Sequence, residues 1–210
     1  PALGTPKQRD LRAPSDPKDG IDPDLQPMEN REFQIGLDYQ LTKNSVISAR
    51  YVNKKLINTI EDIGYLVFNA DGSSEEVYIT GNPGKGVVAG DPAGPVPPQG
   101  EAVRDYEAIE LTFNRRFADN FSFRAAYVYS SLTGNYSGLA SSDEFGRTDP
   151  NVARYFDGLA YSYDSQGNFV DGALVTDRPH AFELQGVYQA PFGTQLGLNF
   201  SWAQGGAKTT

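Results

Sequence analysis

The stretch Arg31-Glu-Phe-Gln-Ile-Gly-Leu-Asp-Tyr-Gln-Leu-Thr decides the fold. Apolar side chains occupy every second position from Phe33 to Leu41, while polar residues such as Asp38 stand between them. Successive side chains of a β-strand point to opposite faces of its sheet. The pattern therefore predicts a strand with one apolar and one polar face, at the boundary between two unlike environments.

The same alternation returns in five further segments. We predict these strands at 45–60, 104–117, 121–132, 180–190 and 194–203. The connections between the six strands are alternately tight turns and long loops, the long ones covering about 61–104 and 134–178. Outer-membrane barrels show this asymmetry, because their periplasmic turns are short and their extracellular loops are long. We therefore predict an all-β fold: an antiparallel up-and-down meander of about six strands of a larger transmembrane β-barrel.

The remaining segments read as loops around this partial barrel, which we place at 31–210. Residues 1–30 are rich in Pro, Asp and Lys and read as a loop or disordered lead-in. Inside the first long loop, two strand-like runs flank Asp71-Gly72, which predicts a β-hairpin. The chain begins with Pro and stops abruptly, so we expect it to be a fragment of a longer protein.

Composition narrows the classes of function. The formal net charge of −9 argues against nucleic acid as a partner, because phosphate binding needs a cationic face. The chain has no Cys, which excludes disulfides and thiolate metal sites. It has no run of eighteen apolar residues that would predict a transmembrane helix. The negative mean hydropathy is compatible with a barrel, since only alternate strand residues meet lipid.

Aromatic residues collect near both predicted ends of the strands. Near the short turns they are Tyr39, Phe117, Phe121 and Tyr188, and near the long loops they are Phe33, Tyr129, Phe182 and Trp202. Aromatic girdles of this kind mark the two membrane interfaces. The core of a soluble β-sandwich is the alternative interpretation, although loops of this length are uncommon in compact domains.

Several segments resemble TonB-dependent outer-membrane receptors of the Oar-like branch. They are Asp22-Pro-Asp-Leu-Gln-Pro-Met-Glu-Asn-Arg-Glu-Phe-Gln-Ile-Gly-Leu-Asp-Tyr, Glu61-Asp-Ile-Gly, Ile79-Thr-Gly-Asn-Pro-Gly, Arg104-Asp-Tyr-Glu-Ala-Ile-Glu-Leu, Gly134-Asn-Tyr-Ser-Gly-Leu-Ala-Ser-Ser-Asp-Glu, Gly146-Arg-Thr-Asp-Pro-Asn-Val and Thr176-Asp-Arg-Pro-His. The resemblance implies a closed barrel of about 22 strands, filled by a plug and energised through TonB. This chain would supply about six strands from the C-terminal half, so we expect its own plug and TonB to be partners through segments that it lacks.

The resemblance also implies location in the outer membrane of a Gram-negative cell, with lipid and an unknown extracellular ligand as further partners. The carboxypeptidase-regulatory-like domain of this branch is an accessory domain and does not imply peptidase activity. We therefore predict a transport or receptor protein that is not an enzyme and has no cofactor. An outer-membrane barrel hydrolase and a soluble β-sandwich that binds carbohydrate are the alternatives.

Catalytic and metal chemistry find little support in the sequence. His180 is the only His, and no Gly-x-Ser-x-Gly elbow accompanies it, so we expect it to be structural. One His without Cys excludes a zinc site of ordinary composition. The acidic second loop could hold Ca²⁺, although its spacing matches no EF-hand and favours a solvated loop. Gly81-Asn-Pro-Gly-Lys-Gly lacks the spacing of a phosphate loop and predicts a turn.

The polar residues at alternate positions of the strands are the best candidates for a functional surface. The predicted lumen-facing members are Asp38, Arg50, Glu110, Arg124, Glu183 and Gln185. They either fill a wet interior and pair with one another or with a plug, or line the path of a solute.

Overall fold

The computed structural model describes residues 20–68, 70–90, 100–136, 162–163, 165–166 and 169–206. Its strands are β1 (Glu29–Thr42), β2 (Ser45–Asn58), β3 (Glu61–Phe68), β4 (Ser74–Gly81), β5 (Arg104–Ala118), β6 (Phe121–Gly134), β7 (Ser162–Tyr163), β8 (Phe169–Val170), β9 (Gly172–Ala173), β10 (His180–Gln189) and β11 (Gln195–Ala203). A short 3₁₀ helix covers Gly86–Ala89. Within the described ranges, no helix is long and apolar enough to cross a membrane.

The described residues form two compact units. One unit, which we call the meander unit, contains Pro27–Thr59 and Ala102–Thr210. The other, which we call the hairpin unit, contains Pro1–Gln26 and Ile60–Glu101. In the meander unit the six long strands pair in the order β1-β2-β5-β6-β10-β11, every pair antiparallel, and β9 pairs with the end of β6. The predicted all-β up-and-down meander is therefore confirmed.

Turn chemistry fixes where the long strands reverse. Asp119 and Asn120 have φ of 52° and 69° between β5 and β6, and these are residue types that tolerate the left-handed region. Gly193 has φ of 90° in the turn before β11. The register is staggered: Ser45, which begins β2, pairs with Arg115, yet β5 continues to Ala118. Strands that tilt around a barrel axis need a stagger of this kind.

The predicted hairpin is present in the hairpin unit, where β3 and β4 pair antiparallel from Glu61–Gly81 to Phe68–Ser74. Gly72 supplies a φ of 83° at the turn. The Asp71 carboxylate accepts hydrogen bonds from the Ser73 hydroxyl at 2.6 Å and the Ser73 backbone N–H at 2.9 Å. These bonds favour the charged carboxylate and lower the pKa of Asp71.

Asp22 fastens the chain before β1 to the segment after β4. Its carboxylate accepts backbone N–H bonds from Asp24 and Val87, both at 2.8 Å, and the residue is buried. Gly86 lies so close that a Cβ there would stand 2.3 Å from Asp22 Oδ2. Without the Asp22 carboxylate, the N–H groups of Asp24 and Val87 would lose their acceptor, and each buried unpaired donor costs about 1–3 kcal/mol.

Asn82 makes a second fastening in the same unit. Its side-chain amide accepts from the Gln26 backbone N–H at 2.6 Å and donates to the Gln26 carbonyl at 2.9 Å. The backbone of Ile21 also forms a parallel bridge to Thr80. The predicted turn at 81–86 thus has a structural task, because it holds the segment at 20–26.

We expect Asp22→Ala to loosen the hairpin unit, because the N–H groups of Asp24 and Val87 would lose their acceptors. Hydrogen–deuterium exchange by mass spectrometry on the full-length protein should show faster exchange in peptides that span 79–90. Asp24→Ala is the matched control, since the Asp24 side chain is exposed. Equal exchange in the two variants would contradict the structural role of Asp22.

Candidate functional site

The polar residues that alternate along the strands form one continuous face of the sheet in the meander unit. We call it the polar face. The register places all six predicted polar residues there: Asp38, Arg50, Glu110, Arg124, Glu183 and Gln185. Cross-strand neighbours include Arg50 with Glu110 and Arg124 with Gln185. The sheet therefore brings together residues that lie far apart in the sequence, although their role as lumen lining stays a prediction.

Arg50 and Glu110 form a two-point contact on this face. Arg50 Nε donates to Glu110 Oε2 at 2.9 Å, and Arg50 Nη2 contacts the same oxygen. Arg50 Nη1 also lies 3.4 Å from Gln34 Oε1. Nearer the long loops, Lys54 Nζ lies 2.9 Å from Glu32 Oε2 across the β1–β2 pair. Opposite charges on neighbouring strands stabilise a sheet, so these pairs favour the observed register.

Among the described residues, the side chains of the other four predicted residues form no hydrogen bond or ion pair, although Arg124 and Gln185 are cross-strand neighbours. Asp38 stands opposite Ser48, while Glu183 stands between Ala126 and Ser201, so β2, β5 and β6 lie between the two carboxylates. In the described part of the chain, the side chains of Asp38, Arg124, Glu183 and Gln185 make no ion pair. The polar face is therefore an open wall of separate charged and amide groups.

Near the long loops the polar face contains a small packed cluster that the sequence analysis missed. Val52, Ala108 and Leu132 are buried there, although the face was predicted to be polar. Leu174, also buried, donates its backbone N–H to the Leu132 carbonyl. The alternation shows which face a residue points to, but it does not show where a loop folds back over that face.

The opposite face of the same sheet is apolar and exposed. Leu37 is 71% exposed and Trp202 51% exposed. Other exposed members are Phe33, Ile35, Tyr39, Leu41, Ile47, Ile109, Leu111, Tyr129, Tyr188, Leu196, Leu198 and Phe200. A soluble β-sandwich would bury these side chains under a second sheet. An exposed apolar surface of this extent instead marks contact with lipid or another apolar partner.

His180 lies on the apolar face at the start of β10. Its Nδ1 lies 2.7 Å from the Tyr127 hydroxyl, and its ring centroid lies 5.1 Å from that of Tyr129. Within the described ranges, no serine hydroxyl or carboxylate contacts the imidazole. The surroundings fit the predicted structural role at a strand–loop junction and do not assemble a hydrolase triad.

Metal chemistry gains no support from the described part of the chain, where no three His, Asp or Glu side chains converge to hold an ion. Most of the predicted acidic loop, namely Asp143, Glu144, Asp149, Asp157 and Asp164, lies outside the described residues. Asp177 belongs to that loop and has a structural role. Its buried carboxylate accepts the Leu132 backbone N–H at 2.9 Å.

Two more loop residues that the sequence analysis left without a role fasten the loops to the sheet. Asn135 accepts the Val103 backbone N–H at 2.7 Å, and the Tyr136 hydroxyl accepts a hydrogen bond from Thr59 at 2.9 Å. Gly134, with φ of 139°, approaches the Val103 carbonyl so closely that a Cβ would lie 2.0 Å from its oxygen. The sequence did carry a signal for these residues, because Gly134, Asn135 and Tyr136 begin one of the segments that resemble Oar-like receptors.

Comparison with known proteins agrees with this geometry. Residues 6–204 match the family model described as outer membrane beta barrel domain. The chain is also 30% identical over 190 residues to the TonB-dependent transporter Oar of Myxococcus xanthus. That alignment covers 90% of this chain and 16% of the relative. No solved structure matches the chain. The resemblance to Oar-like receptors is thereby confirmed.

We expect a double-mutant cycle of Arg50→Gln and Glu110→Gln to give a small favourable coupling energy, because both side chains are partly exposed and water screens their attraction. Urea unfolding of the full-length protein in lipid vesicles measures it. A parallel cycle of Arg50→Gln with Glu183→Gln should give a coupling near zero. Similar coupling in both cycles would show that the direct contact contributes nothing.

Proposed function

This chain belongs to the outer membrane β-barrel domain family, and we propose that it forms part of the wall of a TonB-dependent transporter. It lies in the outer membrane, with the long connections outside the cell and the short turns in the periplasm. The chain spans 16% of the length of the relative it matches. Transport is therefore proposed for the whole receptor, of which this chain supplies one section of the barrel.

The observation that carries the proposal is the contrast between the two faces of one sheet. One face exposes large apolar side chains, whereas the other holds the Arg50–Glu110 and Lys54–Glu32 pairs. A barrel wall needs this arrangement, because its outer side meets hydrocarbon and its inner side meets water. The polar face, with its six predicted lumen residues, would then line the interior.

The proposed partners follow from the likeness to a TonB-dependent transporter. A plug would close the lumen, and TonB would supply energy from the inner membrane. Both contacts would run through parts of the receptor that this chain does not contain. The long extracellular connections and the upper lumen would meet the ligand first.

We propose further that this section of the receptor takes no part in covalent chemistry. His180 faces the apolar side and contacts Tyr127 and Tyr129, so it is poorly placed to attack a solute in the lumen. The similarity to a transporter supports the same view. In the part of the chain that the structure describes, no specific contact favours the hydrolase or the carbohydrate-binding sandwich.

Leu37→Arg tests which face meets lipid. Leu37 lies in the middle of the apolar run of β1, so we expect an arginine there to destabilise the full-length receptor by about 2–4 kcal/mol. Gln40→Arg is the control on the same strand, and its cost should stay near 0.5 kcal/mol because Gln40 lies on the polar face. Urea unfolding in lipid vesicles measures both variants, and equal costs would reverse the face assignment.

Transport itself is tested with cells that produce the full-length receptor. Mass spectrometry of the medium should show compounds whose concentration changes only when the receptor is present. We expect a protonophore to abolish that change, because a TonB-dependent transporter needs the proton-motive force. A change that persists with the protonophore would identify a passive pore instead.

A further inference from the structure

Arg104 lies at the extracellular end of the polar face and has no ion-pair partner among the described residues. It begins β5, opposite Gly134 of β6, and shares the parity of Glu110. Its Nε is buried and has no hydrogen-bond partner among the described residues. No described carboxylate forms an ion pair with it either. A buried N–H of a charged group that lacks an acceptor costs free energy, so the site gains stability when an acceptor arrives.

This side chain lines a concavity of about 680 Å³ in the meander unit. The wall carries three basic residues, Arg50, Lys54 and Arg104, and two acidic residues, Glu32 and Glu110. Arg50 pairs with Glu110 and Lys54 pairs with Glu32, so each acidic residue is already engaged. The charged residues that line the concavity therefore leave one positive charge unbalanced, and this is the charge of Arg104.

Beside the apolar side chains of Val52, Leu56 and Leu132, the rest of the lining offers polar, hydrogen-bonding groups. Asn30, Gln34, Tyr106 and Thr176 contribute amide and hydroxyl groups to the same wall. These groups donate and accept hydrogen bonds and would serve the uncharged part of a solute. Arg104 and the neutral polar groups together fit a small polar molecule that places a carboxylate against Arg104 and further hydrogen-bonding groups against the rest of the wall.

We propose that Arg104 binds the carboxylate of a solute at the mouth of the lumen. The inference rests on the proposed function, because it requires the polar face to line the solute path. A guanidinium presents N–H groups in a planar fork that matches a carboxylate in a bidentate arrangement. Lys54 offers a point charge already shared with Glu32, so Arg104 determines the preference for an anion.

The test uses the full-length receptor in detergent and succinate as the probe, measured by isothermal titration calorimetry. Succinamide has the same carbon skeleton without charge and serves as the matched ligand control. We expect succinate to bind and succinamide to bind at least tenfold more weakly. Arg104→Gln should weaken succinate binding at least tenfold, and Arg104→Lys should weaken it less, because the charge remains while the fork is lost.

Arg116→Gln is the matched protein control. Arg116 is an exposed arginine on the same strand, lies at the periplasmic end, and does not line this concavity. Its variant should bind succinate within about twofold of the wild-type receptor. Thermal melting followed by circular dichroism identifies any variant that fails to fold, and Arg104→Lys then supplies the comparison.

Three results would overturn the proposal: no binding of succinate, equal binding of succinate and succinamide, or equal losses in Arg104→Gln and Arg116→Gln. Calorimetry needs no proton-motive force, so its outcome is independent of energised transport. Binding without protonophore-sensitive transport would leave the carboxylate site intact and remove the transporter assignment. Transport without succinate binding would remove only the site.

Discussion

Antiparallel pairing of strands with alternating side chains is the constraint on which the rest of this structure depends. Pairing satisfies the backbone N–H and C=O groups between neighbouring strands, and this is a condition for any β-structure in hydrocarbon. With the backbone satisfied, the side-chain parity alone decides what each face meets. Leu37 and Asp38 are neighbours in the sequence and yet belong to opposite environments. A register slip of one residue would exchange the two faces and destroy both.

The loops depend on a second kind of interaction, in which buried polar side chains accept backbone N–H groups. The side chains of Asp22, Asn135 and Asp177 accept the backbone N–H groups of Val87, Val103 and Leu132, respectively. The receptor-like segments of the sequence thus coincide with the roots of the long loops. Because a buried donor without an acceptor is costly, each of these side chains restricts the backbone conformation at the base of its loop.

Much of the fold was accessible from the sequence, because its signals are local. The alternation from Phe33 to Leu41 and the Asp71-Gly72 hairpin each depend on neighbouring residues. The candidate site was only partly accessible. Parity assigned Arg50 and Glu110 to one face, but their contact depends on a register between segments 60 residues apart. The buried positions Val52 and Leu132 were missed, because burial on that face depends on a returning loop.

The sequence by itself determined that this chain forms strands with two unlike faces, joined by turns and loops of alternating length, since periodicity and turn chemistry act over a few residues. It also determined an acidic, cysteine-free composition that suits neither nucleic acid nor disulfides. Only the tertiary structure decided which charges are neighbours and which cations have no acidic neighbour among the described residues. Arg50 and Lys54 have acidic partners across the strands and Arg104 has none among the described residues, because register is set by the whole sheet and not by any one segment.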